Sequence, residues 1–324
     1  MALLYTRRMS RPFWQNLVLS ALSLFITLMV LEFYFKVFFA QPDAFGTLAM
    51  QNWYNQYYTG TFNALGYRDQ EWTPEKLAGK LKVVVVGDSL VEGVGIERPE
   101  DRFSDLLGQK LGPKYAVLNV GRQGANTGDE IKLLLDYPYK PDILVWTYFI
   151  NDIGDQAGPF GILLPPPRET PPLLSPLLQN SYAFNFIYWR AVRLFEARNF
   201  PDAKWQWLVT IYNHPDAWWA HQQQLLSIYE GTRSEQIPLL VVVFPGIPYL
   251  EESQFVTERV VNLYRDQDVP TLDVAELIKD IPVKERMASP VDQHPNELVH
   301  RLVAEALYDM FLDLDLAERS AQAQ

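Results

Sequence analysis

Beyond residue 80 the chain alternates short, uniformly apolar runs with longer amphipathic ones. Val83, Val84, Val85 and Val86 are four β-branched residues in succession, the pattern of a strand buried on both faces. Similar runs predict strands at 82–86, 115–120, 142–148, 238–244 and 270–273. The segments between them change to helical spacing and predict helices near 100–111, 126–135, 220–233, 251–266 and 296–313. Strands separated by helices imply βαβ units and a parallel sheet covered on both faces. The expected fold class is therefore α/β, a three-layer α/β/α domain with a flavodoxin-like sheet. Ligands bind such sheets beyond the carboxyl ends of the strands, where Ser89, the loop Asn119 to Gly124, and Asn151 all fall.

Two stretches break the alternation. Between Asp155 and Ala220, proline crowds the first part, including Pro165-Pro166-Pro167 and Pro171-Pro172, so Gly158 to Pro176 is expected to hold no regular helix or strand. Aromatics crowd the second part: Tyr182, Phe184, Phe186, Tyr188, Trp189, Trp205, Trp207, Trp218 and Trp219. The segment 155–220 reads as a cap-like insertion. Most of its aromatics are expected to fill its own small core, and a minority to line a substrate groove or rest on a membrane face.

The other exception is N-terminal. Phe13 to Leu31 is a 19-residue run without a charge, about 28 Å of helix at ~1.5 Å per residue and close to the hydrocarbon thickness of a bilayer. Arg7, Arg8 and Arg11 precede it, so the positive-inside rule keeps the N-terminus cytoplasmic and sends the rest across. Glu32 and Lys36 follow at helix-pair spacing, among Phe33, Tyr34, Phe35, Phe38 and Phe39, which read as an interfacial aromatic belt. Ala40 suits the last position before a signal-peptide cleavage site, but Phe38 two residues earlier is too large, so an uncleaved anchor is expected. The organisation expected is a cytoplasmic segment 1–12, a transmembrane anchor 13–40, a turn-rich linker 41–80, a domain 81–313 with its insertion, and a tail 314–324.

Composition narrows the chemistry. The formal net charge of −11 argues against a nucleic-acid partner, which calls for a basic face. With no cysteine there is neither a disulfide nor a thiolate metal site, and no His/Asp/Glu group has ligand spacing, so no metal is expected. Gly93-Val94-Gly95 lacks the dinucleotide fingerprint and no glycine loop ends in Lys-Ser or Lys-Thr, so no nucleotide cofactor is expected either.

The valine strand runs into Gly87-Asp88-Ser89-Leu90. A serine here is a common helix N-cap, but a tight turn that exposes a hydroxyl also suits a nucleophile, provided a base lies near. One histidine has a suitable context, His294 in Asp292-Gln293-His294-Pro295, just ahead of the final helix. Together with Asn119-Val120-Gly121-Arg122-Gln123-Gly124 and Phe149-Ile150-Asn151-Asp152, these blocks resemble the GDSL, or SGNH, hydrolase family over roughly residues 81 to 313. The resemblance implies a serine esterase. Ser89 would be the nucleophile, His294 its base and Asp292 the acid that orients the base. The oxyanion hole would comprise the Ser89 and Gly124 backbone N–H groups and the Asn151 side-chain amide, with Gly121 serving the turn and Asp88 structural.

Two positions depart from the family pattern. Phe149 stands where a glycine precedes the asparagine, which would narrow the acyl pocket. Asp292 lies two residues before the histidine rather than three, where Val291 stands. The remaining histidines have structural readings: His300 surface or packing, His214 and His221 capping or packing. The expected substrate is an ester-bearing small molecule, lipid or glycan at the outer face of a membrane, with water as the default acyl acceptor. Acyl transfer to an exported polysaccharide by the same triad, and a catalytically silent binding module, are the alternatives.

Overall fold

The four valines form the centre of strand β1 (Leu81–Gly87), and none of them is exposed. Burying each contributes roughly 1.5–3 kcal/mol relative to an exposed position, which commits this segment to the middle of the sheet. The computed structural model describes residues 11–43, 46–166, 170–199 and 203–314. Arg7, Arg8, Pro167 and the tail beyond Leu314 lie outside the described residues.

β1 pairs in parallel with β2 (Tyr115–Gly121) on one side and β3 (Ile143–Phe149) on the other, followed by β4 (Leu239–Phe244) and β5 (Thr271–Asp273). The order β2-β1-β3-β4-β5 is the flavodoxin-like one, with its topological switch between β1 and β3. Alternate β1 residues feed two cores, so the sheet is the middle of three layers. Val84 and Val86 pack with Leu118, Trp146, Leu225 and Tyr264, while Val83 and Val85 pack with Phe103, Leu107, Val303 and Leu307.

The helices in chain order are α1 (Arg11–Val37), α2 (Leu48–Trp53), α3 (Pro74–Leu77), α4 (Ser89–Glu92), α5 (Phe103–Leu111) and α6 (Thr127–Asp136). The insertion supplies α7 (Ser175–Asn180), α8 (Tyr182–Asn199), α9 (Ala203–Asn213) and α10 (Pro215–Ser234). After it come α11 (Leu250–Arg265), α12 (Val274–Ile278), α13 (Val283–Arg286), a hairpin of β6 (Met287–Ser289) and β7 (Asp292–Pro295), and α14 (Glu297–Asp313). The five strands and five long helices expected from the pattern are all present within a few residues.

Two expectations are corrected and a third is extended. The proline-rich stretch is not wholly irregular: a 3-10 turn covers Gly158–Phe160 and α7 starts at Ser175. Both have proline at an early helical position, where its missing N–H costs nothing. Residues 46–80 are not a linker but part of the domain wall. Arg68 is fully buried and donates to the carbonyls of Gly93, Ile96, Tyr57 and Glu97, while Asp69 accepts from Asn119 N and Trp72 Nε1. Glu32 feels the charge of Lys36, as expected, but its hydrogen bonds go elsewhere. Its carboxylate accepts from Ser181 Oγ (2.8 Å), Tyr182 N (2.8 Å) and Ala183 N (3.1 Å), capping the start of α8. The N-terminal N–H groups of a helix have no partner within it and favour a nearby anion.

The apolar stretch of α1, Pro12–Val37, is long enough to cross a bilayer and is not buried in the protein. Its C-terminal end is held at several points. The Asn52 side-chain amide donates to the carbonyls of Phe35, Lys36 and Phe39, and Phe35 stacks on Phe186 of α8 at 4.5 Å. Phe35 and Phe39 therefore leave the expected aromatic belt for a contact with the insertion, while Phe33, Tyr34 and Phe38 remain exposed.

Candidate active site

Ser89 is the first residue of α4, at the carboxyl end of β1. Asp88 caps that helix, its Oδ1 accepting from Leu90 N at 2.9 Å. The turn depends on close packing that only glycine allows. A Cβ on Gly87 would lie 2.5 Å from Val91 Cγ2, and one on Gly121 would lie 2.2 Å from Glu92 N. The ends of β1 and β2 thus press directly against the first turn of α4.

His294 and Asp292 sit on β7. Side chains two apart on a strand share a face, so Asp-x-His brings carboxylate and imidazole together. This accounts physically for the departure from three-residue spacing. His294 Nδ1 lies 2.5 Å from Asp292 Oδ1, which also accepts from His294 N at 3.0 Å. His294 Nε2 lies 3.0 Å from Ser89 Oγ. The three groups form one continuous chain across 205 residues of sequence. Ser89 Oγ is also 3.2 Å from Asp88 Oδ2, so two acceptors share access to its proton.

The electrostatics follow this geometry. Burial alone would raise the Asp292 carboxyl, but the charge and hydrogen bonds of His294 outweigh it and hold Asp292 below the ordinary carboxylate range. Burial alone would lower His294; the Asp292 charge and hydrogen bond, with Asp88 assisting, outweigh that and raise it above the ordinary imidazole value. A raised histidine beside an ionised acid is a stronger proton acceptor, which suits general-base work.

Asn151 follows β3 on the other side of the switch point, with its side chain near enough to Asp88 to help lower that carboxyl, which burial raises. Asn151 therefore joins the cluster of Asp88, Ser89 and His294. Gly124 is linked to it less directly. It has φ +80°, with open space around its Cα, in the loop after β2. Its neighbour Gln123 donates its backbone N–H to Glu92 at the end of α4. Phe149 lines a cavity of about 60 Å³ beside Asn151, with Trp205 and Leu208 of the insertion, Tyr249 and Gln293.

Several residues of this region have no counterpart in the sequence expectations. Glu92 is buried and accepts from Tyr58 Oη as well as Gln123 N, and burial raises its carboxyl. Tyr54 Oη donates to Gln123 Oε1 at 2.7 Å. Arg102 is fully buried and donates to the carbonyls of Arg68 and Glu92. The one legible hint was an arginine and an aspartate placed straight after a glycine turn in Gly66-Tyr67-Arg68-Asp69. The other histidines are structural. His300 accepts from Phe103 N and stacks on its ring, His221 bonds Tyr148 Oη, and His214 caps α10.

A nucleophile-bearing turn after β1 and a histidine hairpin before the last helix, both at the switch point of a parallel sheet, define a serine-hydrolase type of architecture. The GDSL-like Lipase/Acylhydrolase family matches residues 85–302, and the chain belongs to that family. It is a GDSL-type ester hydrolase. Similar solved structures include a member of the lipolytic protein G-D-S-L family from Veillonella parvula DSM 2008, at 13% identity over 72% of this chain and 98% of that one, with TM-score 0.43. TesA is similar at 17% identity over 71% and 98% of the two chains, with TM-score 0.43. The acetyl xylan esterase AlAXEase is similar at 15% identity over 71% and 99%, with TM-score 0.43. No curated protein matches the chain.

Proposed function

We propose that the protein is a membrane-anchored serine esterase or deacylase, working through an acyl-enzyme on an ester presented at the extracytoplasmic face. The observation that carries this reading is the Ser89–His294–Asp292 chain at 3.0 and 2.5 Å, with its carboxylate held ionised. In the first step His294 Nε2 takes the Ser89 hydroxyl proton as Oγ attacks the ester carbonyl, while Asp292 holds the ring's tautomer and stabilises the imidazolium. The backbone N–H groups of Ser89 and Gly124 and the amide of Asn151 would receive the developing oxyanion; losing one such donor typically costs about 10²–10³ in turnover. His294 then returns the proton to the leaving alcohol. Water, activated by the same base, releases the acid. The acyl group would rest in the cavity lined by Phe149 and Trp205, and the substrate would be a cell-surface glycan or lipid ester.

The test is covalent labelling. A fluorophosphonate reacts with an activated serine only, so the wild-type chain should be labelled. Ser89→Ala should lose both labelling and p-nitrophenyl acetate hydrolysis, with its thermal midpoint nearly unchanged. Labelling that persists in Ser89→Ala would remove the assignment.

A further inference from the structure

Helix α7 has two unlike sides. Leu178 is buried, whereas Leu177 is half exposed at 50%, and Leu173 just ahead of the helix is 93% exposed. Exposed leucines on so short an element need a partner only if the element is held in one place, and this one is. Ser181, immediately beyond α7, donates its hydroxyl to Glu32, and the Asn185 side chain ties α8 back to the carbonyl of Leu178. Glu32 is the first charged residue after the apolar run of α1. The corner between α7 and α8 therefore lies level with the point where α1 emerges from the hydrocarbon. α7 is six residues long, about 9 Å, too short to move its leucines far from that level. α8, which packs against both α1 and α7, exposes Ile187, and Phe33 on α1 and Phe38 just past its end are exposed as well.

We propose that α7 and the leucines leading into it are a second membrane contact, lying in the boundary between headgroups and acyl chains beside α1, with the lipid surface as their partner. Apolar side chains seated at that depth gain burial without crossing the bilayer. The proposal rests on the reading of α1 as a membrane span, and the experiment separates the two.

The absence of cysteine allows single-cysteine labelling of the full chain. Leu173→Cys, Leu177→Cys, Leu24→Cys within α1, and Leu135→Cys on α6 as the aqueous reference would each carry a nitrobenzoxadiazole fluorophore. Each variant is placed in nanodiscs of phosphatidylcholine and phosphatidylglycerol. Doxyl-labelled lipid should quench the probes at 24, 173 and 177 several-fold more than the probe at 135, while aqueous iodide should reach only 135. Lipid quenching at 24 combined with iodide quenching at 173 and 177 would overturn the second contact and leave the anchor standing. A probe at 177 shielded from both quenchers would mean that another protein surface, such as a second copy, covers it, and would also overturn the proposal. Iodide quenching at 24 would overturn anchor and foot together.

Discussion

The value of His294 as a base depends on one neighbour, and that dependence has a sign. Its imidazole must be neutral to accept the Ser89 proton, and Asp292 raises it above the ordinary value. kcat/KM should therefore fall on the acid side with a midpoint above about 6.5, the unperturbed histidine value. Asp292→Asn removes the charge that opposes burial, so the acid limb should move to lower pH while turnover drops by up to roughly 10⁴-fold. An unmoved limb with near-wild-type turnover would reduce the triad to a Ser89–His294 dyad. A second residue-scale prediction concerns Glu130, which is fully buried and whose carboxyl oxygens hydrogen-bond no other protein atom. Burial, then Asp88, Asp129 and Asp155, push its carboxyl well above the usual range. The folded chain thus keeps a proton that the unfolded chain releases above about pH 4.3. Stability must fall as pH rises from there toward the folded value. Glu130→Gln should remove that loss, raising the thermal midpoint by a few degrees at pH 8 and by nothing at pH 4.

At the scale of elements, the hairpin carrying Asp292 and His294 was the part of the site the sequence concealed. The β1 valines announce a buried strand because every residue in the run is β-branched and apolar. β6 and β7 span only three and four residues, too short for any period to emerge, and Asp292 and His294 are turned to the polar site. The same brevity hides α12 and α13. Ser89, His294 and Asp292 were legible because their motifs are local, whereas Glu92, Tyr54 and Arg68 act through long-range burial that spacing does not encode. The hairpin is also the element most exposed to disturbance. A Cβ on Gly95, which has φ +91°, would lie 2.6 Å from Ala288 Cβ and 3.6 Å from His294 Cβ. Gly95→Ala should destabilise the fold by roughly 1–3 kcal/mol. It should also cost about 10²-fold in turnover if the hairpin shifts by ~1 Å. Adding Ala288→Gly should recover much of the turnover and less of the stability, because the positive φ remains unfavourable for alanine. Equal recovery of both would mean that packing alone, not backbone strain, sets the cost.

For the whole molecule, the first expectation is topological. With the basic N-terminus inside, a C-terminal alkaline phosphatase fusion should be active and a C-terminal green fluorescent fusion dark; the reverse pattern would place the domain in the cytoplasm. The joints between anchor and domain then define the enzyme's reach. Asn52 closes the end of α1, Glu32 caps α8, and Ser289 Oγ donates to the Pro42 carbonyl just beyond the anchor. A tethered enzyme on a flexible linker samples a wide volume above its membrane; if α1 is the proposed anchor, these joints would restrict this one. From the Glu32 cap, α8 runs about 17 Å along its axis to Arg193, at ~1.5 Å per residue, and the charge of Arg193 helps to lower Asp292. On the proposed anchoring, the active site would work close over the bilayer. Esters that stay close to that surface would then meet the serine by two-dimensional diffusion, and those on distant parts of a polymer would wait until the polymer lies down.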